Sequence, residues 1–198
     1  MRKTNCWDLT MVAAVLLFGC RATAFGQELA TAVADWKFVD CEGREHVPFA
    51  SQDIKAVVIV FISTDCPISN GYQPVLSRLV QAQSKFSYFF VHASPRTTRE
   101  MGLEHARQFK IGVPVILDPD QELGRRLGAK TVPQAFVVGR DGTVLYNGRI
   151  DDQYAGFGKK RPAPTRQDLA EALAEIAQGK EVSVPVTETI GCEIQYDK

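Results

Sequence analysis

The chain has 198 residues, 45 % of them apolar and 23 % charged. That suits one globular domain and excludes a disordered, collagenous or coiled-coil protein. Basic and acidic residues balance at 23 each and no basic run stands out, which also excludes an electrostatic nucleic-acid binder. Five cysteines are too few to staple a mini-protein, and a core of this size needs no staples.

The first residues precede the fold. Arg2 and Lys3 give a basic start, and Leu9–Gly19 is an apolar run of eleven. A spanning helix needs roughly 20 such residues. A short run behind a basic start predicts a signal peptide over residues 1–26, cleaved after small residues near Ala22–Gly26. The alternative is a lipoprotein box ending at Cys20, which would anchor the chain to a membrane by lipid; Phe18 is bulky for such a box, so simple cleavage is favoured. Either way the protein is expected to be exported, to the periplasm. Residues 27–198 then carry a net charge of −2 and keep Cys41, Cys66 and Cys192 in a compartment that permits disulfides.

Residues 27–180 read as one α/β domain, followed by an extended tail over 181–198. Trp36–Val39 and His46–Phe49 flank Asp40-Cys41-Glu42-Gly43 as a hairpin. Ala56–Ile62 is a continuous β-branched, apolar run, as in a strand buried on both faces. Residues 67–83 carry apolar positions at helical offsets, and Phe86–His92 is strand-like again. Strand, helix and strand make a right-handed βαβ unit. Residues 97–109 follow as a helix, Val115–Leu117 as a short strand and Gln121–Leu127 as a short helix. Gln134–Val138 and Thr143–Ile150 form a hairpin through Arg140-Asp141-Gly142. Thr165 with Asp168 forms a variant capping box for a last helix, which presents Leu169, Leu173 and Ile176 on one face.

The chemistry concentrates at Cys66. A buried strand ends just before it, and Pro67, favoured at a first helical position, follows it. Cys66 is therefore expected at the helix N-cap, facing free N–H groups and the positive end of the helix dipole. Both favour thiolate, the reactive form. Ser69 is placed to offer a hydroxyl to the sulfur, and Asp65 opposes the thiolate unless it points to solvent. A buried, inert cysteine is the alternative. Three histidines add little. His92 reads as a polar strand-end residue and His105 as a partly exposed helix residue. No His/Cys spacing resembles a zinc site, and no metal or cofactor is expected. Asp151 and Asp152 read as a solvated turn, and Lys159-Lys160-Arg161 as an exposed loop.

This element order, with Cys66-Pro67-Ile68-Ser69 after the first buried strand, resembles the thioredoxin fold. More narrowly it is similar to exported redoxin-domain proteins related to the alkyl hydroperoxide reductase and thiol-specific antioxidant group. Pro74, eight residues after Cys66, matches that family's helix-kinking proline. Thr131-Val132-Pro133 matches its cis-proline loop, and Arg149–Tyr154 with Gly191-Cys192 are also similar. The resemblance covers residues 32–178 and, more weakly, the tail. It implies a three-layer α/β fold: a central mixed sheet flanked by helices, with an N-terminal hairpin and a C-terminal tail. It implies a cis Val132–Pro133 bond beside Cys66, where an extended substrate segment can pair with the loop. Thr64, Ser69, Thr131, Val132 and Pro133 are the expected substrate-binding residues.

Departures shape the expected activity. Ser69 replaces the family's second cysteine, so a local disulfide cannot form. Val60 stands where a buried aspartate is common. Ser63 fits the hydroxyl position of a peroxidase motif, but Ile59 replaces its proline and Pro133 stands near its arginine. The expectation is a thiol–disulfide oxidoreductase in which Cys66 attacks disulfides or oxidised thiols of proteins or small molecules, with an external reductant. The alternatives are a weak thiol peroxidase, and a non-catalytic binding or metal-chaperone module. Three pairings of the mature cysteines are open: 41–66, 66–192 and 41–192. Cys66–Cys192 is favoured, because an extended tail can cross the surface at low closure cost and Gly191 permits close approach. Cys41, fixed in a hairpin turn, has less reach; an external thiol is the other resolving partner.

Overall fold

Ala56–Ile62 form β3, and all seven of its side chains are buried. Each large apolar side chain there contributes about 1.5–3 kcal/mol by leaving water. A strand this apolar needs a layer on each face, and that requirement organises the domain. A computed structural model describes residues 36–197; the expected signal segment 1–26, with Cys6 and Cys20, lies outside the described residues. Among the described residues, no helix is long and apolar enough to cross a membrane.

The chain opens with a short hairpin, β1 (Phe38–Val39) against β2 (Glu45–His46), narrower than its apolar flanks suggested. Beyond β3 come α1 (Pro67–Ala82), β4 (Phe86–His92), α2 (Arg99–Gln108), β5 (Val115–Leu117) and α3 (Glu122–Leu127). Next are β6 (Thr131–Val132), β7 (Gln134–Gly139) and β8 (Val144–Gly148). A small hairpin, β9 (Tyr154–Gly156) and β10 (Lys159–Lys160), precedes α4 (Asp168–Ala177), and β11 (Cys192–Glu193) lies near the end. The main sheet has the order β5-β4-β3-β7-β8. Strands β3, β4 and β5 are parallel, whereas β7 and β8 are antiparallel to their neighbours. This is a mixed sheet with helices, an α/β fold of thioredoxin type.

Both outer strands are covered by the ends of the described chain. Asp40 bridges to Ile116 on β5, and Cys41 N–H donates to Val115 O at 2.8 Å. On the other side, Val186 bridges to Asn147 on β8. Asn147 N–H donates to Pro185 O at 2.8 Å, and Thr187 N–H donates back to Asn147 O at 3.0 Å.

Four local expectations are corrected. Asp151 and Asp152 are buried, not solvated. Tyr72 OH donates to Asp151 Oδ1 at 2.6 Å, while Asp152 accepts from Thr165 N–H at 2.7 Å and from the Thr165 hydroxyl. Thr165 is thereby committed to Asp152 and does not cap α4. That helix starts after Gln167, and Asp168 is buried between Arg149 and Arg166, at 2.7 and 2.9 Å. Lys159 and Lys160 are exposed, but they form a strand rather than a loop. His105 is buried, because α2 turns it inward towards α1: its Nε2 lies 2.8 Å from Asn70 Oδ1.

Candidate active site

Cys66 sits where β3 hands over to α1. Its backbone is extended (φ −90°, ψ 110°), and Pro67 begins the helix. The Ser69 backbone N–H donates to Cys66 Sγ at 3.4 Å. An N–H aimed at sulfur from the first helical turn stabilises charge there. The Ser69 hydroxyl plays a different part from the one expected: it accepts from Ser63 N–H at 3.3 Å, and the residue is fully buried. Ser63 Oγ in turn accepts from Asp65 N–H at 3.3 Å. Asp65 is exposed and its carboxylate accepts from the Thr64 hydroxyl at 3.1 Å.

The loop before Cys66 is held from below. Asn70 Nδ2 donates to Thr64 O at 2.8 Å, and Asn70 Oδ1 faces His105 Nε2. The His105 ring lies 5.1 Å from that of His92. His92 is no ordinary strand-end polar residue. It is 1 % exposed, and neither ring nitrogen has a hydrogen-bond partner among the described residues. Burial, and then the neighbouring His105, push its pKa down to about 3.

Opposite Cys66 lies the loop 131–133, whose Val132–Pro133 bond is cis, as the sequence led us to expect. The Cys66 thiol donates to Val132 O at 3.2 Å. Gln134 shapes this loop from behind. Its Oε1 accepts from Lys130 N–H at 2.8 Å and from Thr131 N–H at 3.2 Å, and its Nε2 donates to Asn147 Oδ1 at 2.7 Å. Sequence reasoning missed this role. The available signal was a lone polar residue opening an otherwise apolar strand.

The edge of β6 is not free. Strand β11 pairs with it antiparallel, Cys192 opposite Val132 and Glu193 opposite Thr131. Cys192 Sγ lies 2.8 Å from Cys66 Sγ and donates its hydrogen to it. Burial, followed by that contact, pushes the Cys192 thiol up to about 11. Cys66 is 1 % exposed and Cys192 half-buried. Gly191 is required by this approach, since a Cβ there would collide with Val132 O.

Anchors hold the strand at both ends. The Thr131 hydroxyl donates to Thr189 Oγ1 at 2.7 Å, and Ile194 N–H donates to Lys130 O at 2.8 Å. Gln121 Nε2 donates to Gln195 O at 2.6 Å, and Tyr196 OH donates to Ala129 O at 2.7 Å. Thus the structure brings Cys66, Val132, Pro133 and Cys192 together, leaves Thr64 at the rim, and gives Thr131 to the tail. Cys41 is elsewhere, buried against Gly102 of α2, with its thiol pKa raised by burial and then by Asp40. Among the described residues no group of three or more His, Cys, Asp or Glu side chains is arranged to hold a metal.

Residues 29–147 match the AhpC/TSA family. The chain belongs to this family. The AhpC/TSA match includes Cys66 and Pro133 and ends before α4 and the tail, so Cys192 lies outside it. No curated protein matches the chain. A hypothetical protein from Sinorhizobium meliloti 1021 is 24 % identical over 83 % of this chain and 92 % of its own, with a TM-score of 0.72. An uncharacterized conserved protein from Geobacillus kaustophilus is 22 % identical over 82 % of this chain and 88 % of its own, with a TM-score of 0.71. A secreted disulfide oxidoreductase from Mycobacterium tuberculosis, homologous to E. coli DsbE, is 18 % identical over 72 % of this chain and 97 % of its own, with a TM-score of 0.52. These likenesses show a shared fold.

Proposed function

We propose that this AhpC/TSA-family protein is an exported thiol–disulfide oxidoreductase that works through Cys66 and Cys192. The observation that carries the reading is the 2.8 Å approach of the two sulfurs at the N-terminus of α1. Cys66 thiolate attacks one sulfur of a disulfide R–S–S–R. A Cys66–S–S–R bond forms, and one RS⁻ leaves. Cys192 then attacks the Cys66 sulfur, the second RS⁻ leaves, and the proton of Cys192 passes to that leaving thiolate. The chain ends as the Cys66–Cys192 disulfide, and the substrate as two thiols. An external thiol reductant returns the pair to the dithiol.

The two sulfurs have different jobs because their surroundings differ. Cys66 receives an N–H from the helix start, whereas the raised Cys192 stays protonated at neutral pH until it is needed. The peroxidase alternative finds less support, because Ser63 Oγ turns to the Asp65 amide rather than to the sulfur. Export rests on the basic start and short apolar run of the sequence.

Peptide mapping without reductant, after mild oxidation of the full chain, tests the scheme. The expected product is the 66–192 link with Cys41 still a thiol. In Cys192→Ser the reaction should stop at the Cys66 mixed disulfide. Recovery of 41–66 or 41–192 as the dominant link would refute the assignment.

A further inference from the structure

In this fold the chain edge beside the cis-proline is where an extended partner would pair. Here that edge is taken by the protein's own residues, in register, with Cys192 opposite Val132 and Glu193 opposite Thr131. A polypeptide cannot add to β6 without first removing β11. Removal is opposed on both sides of Cys192 by the bonds that Thr189 and Gln195 accept and that Ile194 and Tyr196 donate, described above. Close by, a cavity of about 460 Å³ remains open; Thr64 and Asp65, just before Cys66, line it with Val132 and with Glu193, just after Cys192, and His92 and Arg96 complete its wall. A space of that size suits a small molecule.

We infer that the substrates of Cys66 are low-molecular-weight disulfides, and that β11 acts as a built-in strand that keeps extended polypeptide disulfides out. The inference rests on the oxidoreductase reading above. The chemistry is unchanged: a small disulfide accepts two electrons from the Cys66–Cys192 pair and leaves as two thiols, and an external thiol reductant resupplies the electrons. What the tail decides is which disulfide can present a sulfur to Cys66. A small one needs no backbone pairing. A polypeptide needs the edge that β11 occupies.

The test compares two probes with the same reacting bond. One is oxidised glutathione; the other is an unstructured cysteine peptide carried as its glutathione mixed disulfide. The rate of Cys66 oxidation is measured in single turnover on the reduced full chain, on a chain ending at Glu193, and on Ile194→Pro. Both variants keep Cys66 and Cys192 and lose the bond to Lys130 O. The full chain should prefer oxidised glutathione by at least an order of magnitude. The variants should narrow that preference by accelerating the peptide reaction while the glutathione rate holds. Hydrogen exchange on the intact chain adds a readout that needs no variant: residues 189–196 should stay protected while oxidised glutathione reacts. Equal rates for the two probes in the full chain, or a preference unmoved in both variants, would overturn the inference while leaving the oxidoreductase reading intact. Oxidation of Cys66 by neither probe would overturn both.

Discussion

Cys192 meets Cys66 across 126 residues of sequence because it is registered opposite Val132, the residue whose carbonyl oxygen already faces the Cys66 sulfur. The meeting depends on backbone pairing rather than on any attraction between the sulfurs. Gly191→Val should therefore break it, since any Cβ at 191 strikes Val132 O. We expect the rate of Cys66–Cys192 disulfide formation to fall on the order of 10²-fold, as a small misplacement of reacting atoms does elsewhere. Stopped-flow oxidation with quantified free thiols would measure it; an unchanged rate would mean the tail reaches Cys66 by another path.

Cys41 and Gly102 form a second close contact, remote from Cys66 and Cys192. A Cβ on Gly102 would lie 2.7 Å from Cys41 Sγ. Gly102→Ala should cost about 1–3 kcal/mol through overpacking. Cys41→Ala in the same chain should recover part of that loss. A double-mutant cycle by urea denaturation gives the coupling, and additive losses would contradict the contact.

His92 makes stability depend on pH. Its folded pKa of about 3 is below the ordinary ~6.5. As pH falls, the unfolded chain takes up the proton first, so the stability associated with neutral His92 is complete above about 6.5 and is lost on the way down towards 3. His105, also lowered by burial, acts in the same direction, and the Asp65 charge opposes its shift. Between pH 6.5 and 5, above the carboxylate range, unfolding free energy should decline for the natural chain. It should decline less steeply for His92→Phe. Parallel slopes in denaturant titrations across that window would remove His92 as the cause.

Tyr72 ties α1 to the loop after β8. Its OH donates to Asp151 Oδ1 and Asp151 O, at 2.6 and 3.2 Å, and Asp151 also accepts from Gln153 N–H at 2.8 Å. Tyr72→Phe leaves a buried carboxylate short of one donor, which should cost about 1–3 kcal/mol. The loss should be visible as a lower thermal midpoint with the far-UV spectrum unchanged.

The central strands were legible because their composition leaves few choices. β3 and β5 begin and end where their apolar runs do, and β4 runs one residue past Val91 to His92. Helix α1 was legible from Pro67, and the position of the cis bond from the family resemblance at Thr131-Val132-Pro133. What was not legible depends on distant partners. β6 and β11 are two residues each and exist only because they pair with one another. Asp151 and Asp152 look like solvent-facing turn residues until Tyr72, Thr165 and Arg161 are folded against them. Gln121 and Gln134 carry no motif, yet one fastens the tail and the other the proline loop. The sequence pointed to a tail able to reach Cys66, and the anchors that hold it there lie in segments without periodicity.

The tail covers more than one thing. On its way to Cys66 it also lies along Asn147 of β8, the outer strand of the main sheet. An unpaired outer strand is a template for another chain. A single peeling of residues 185–196 would therefore uncover Cys66 and a sticky sheet margin together. The open form that would admit a polypeptide at β6 would then also offer β8 to a second copy, strand to strand.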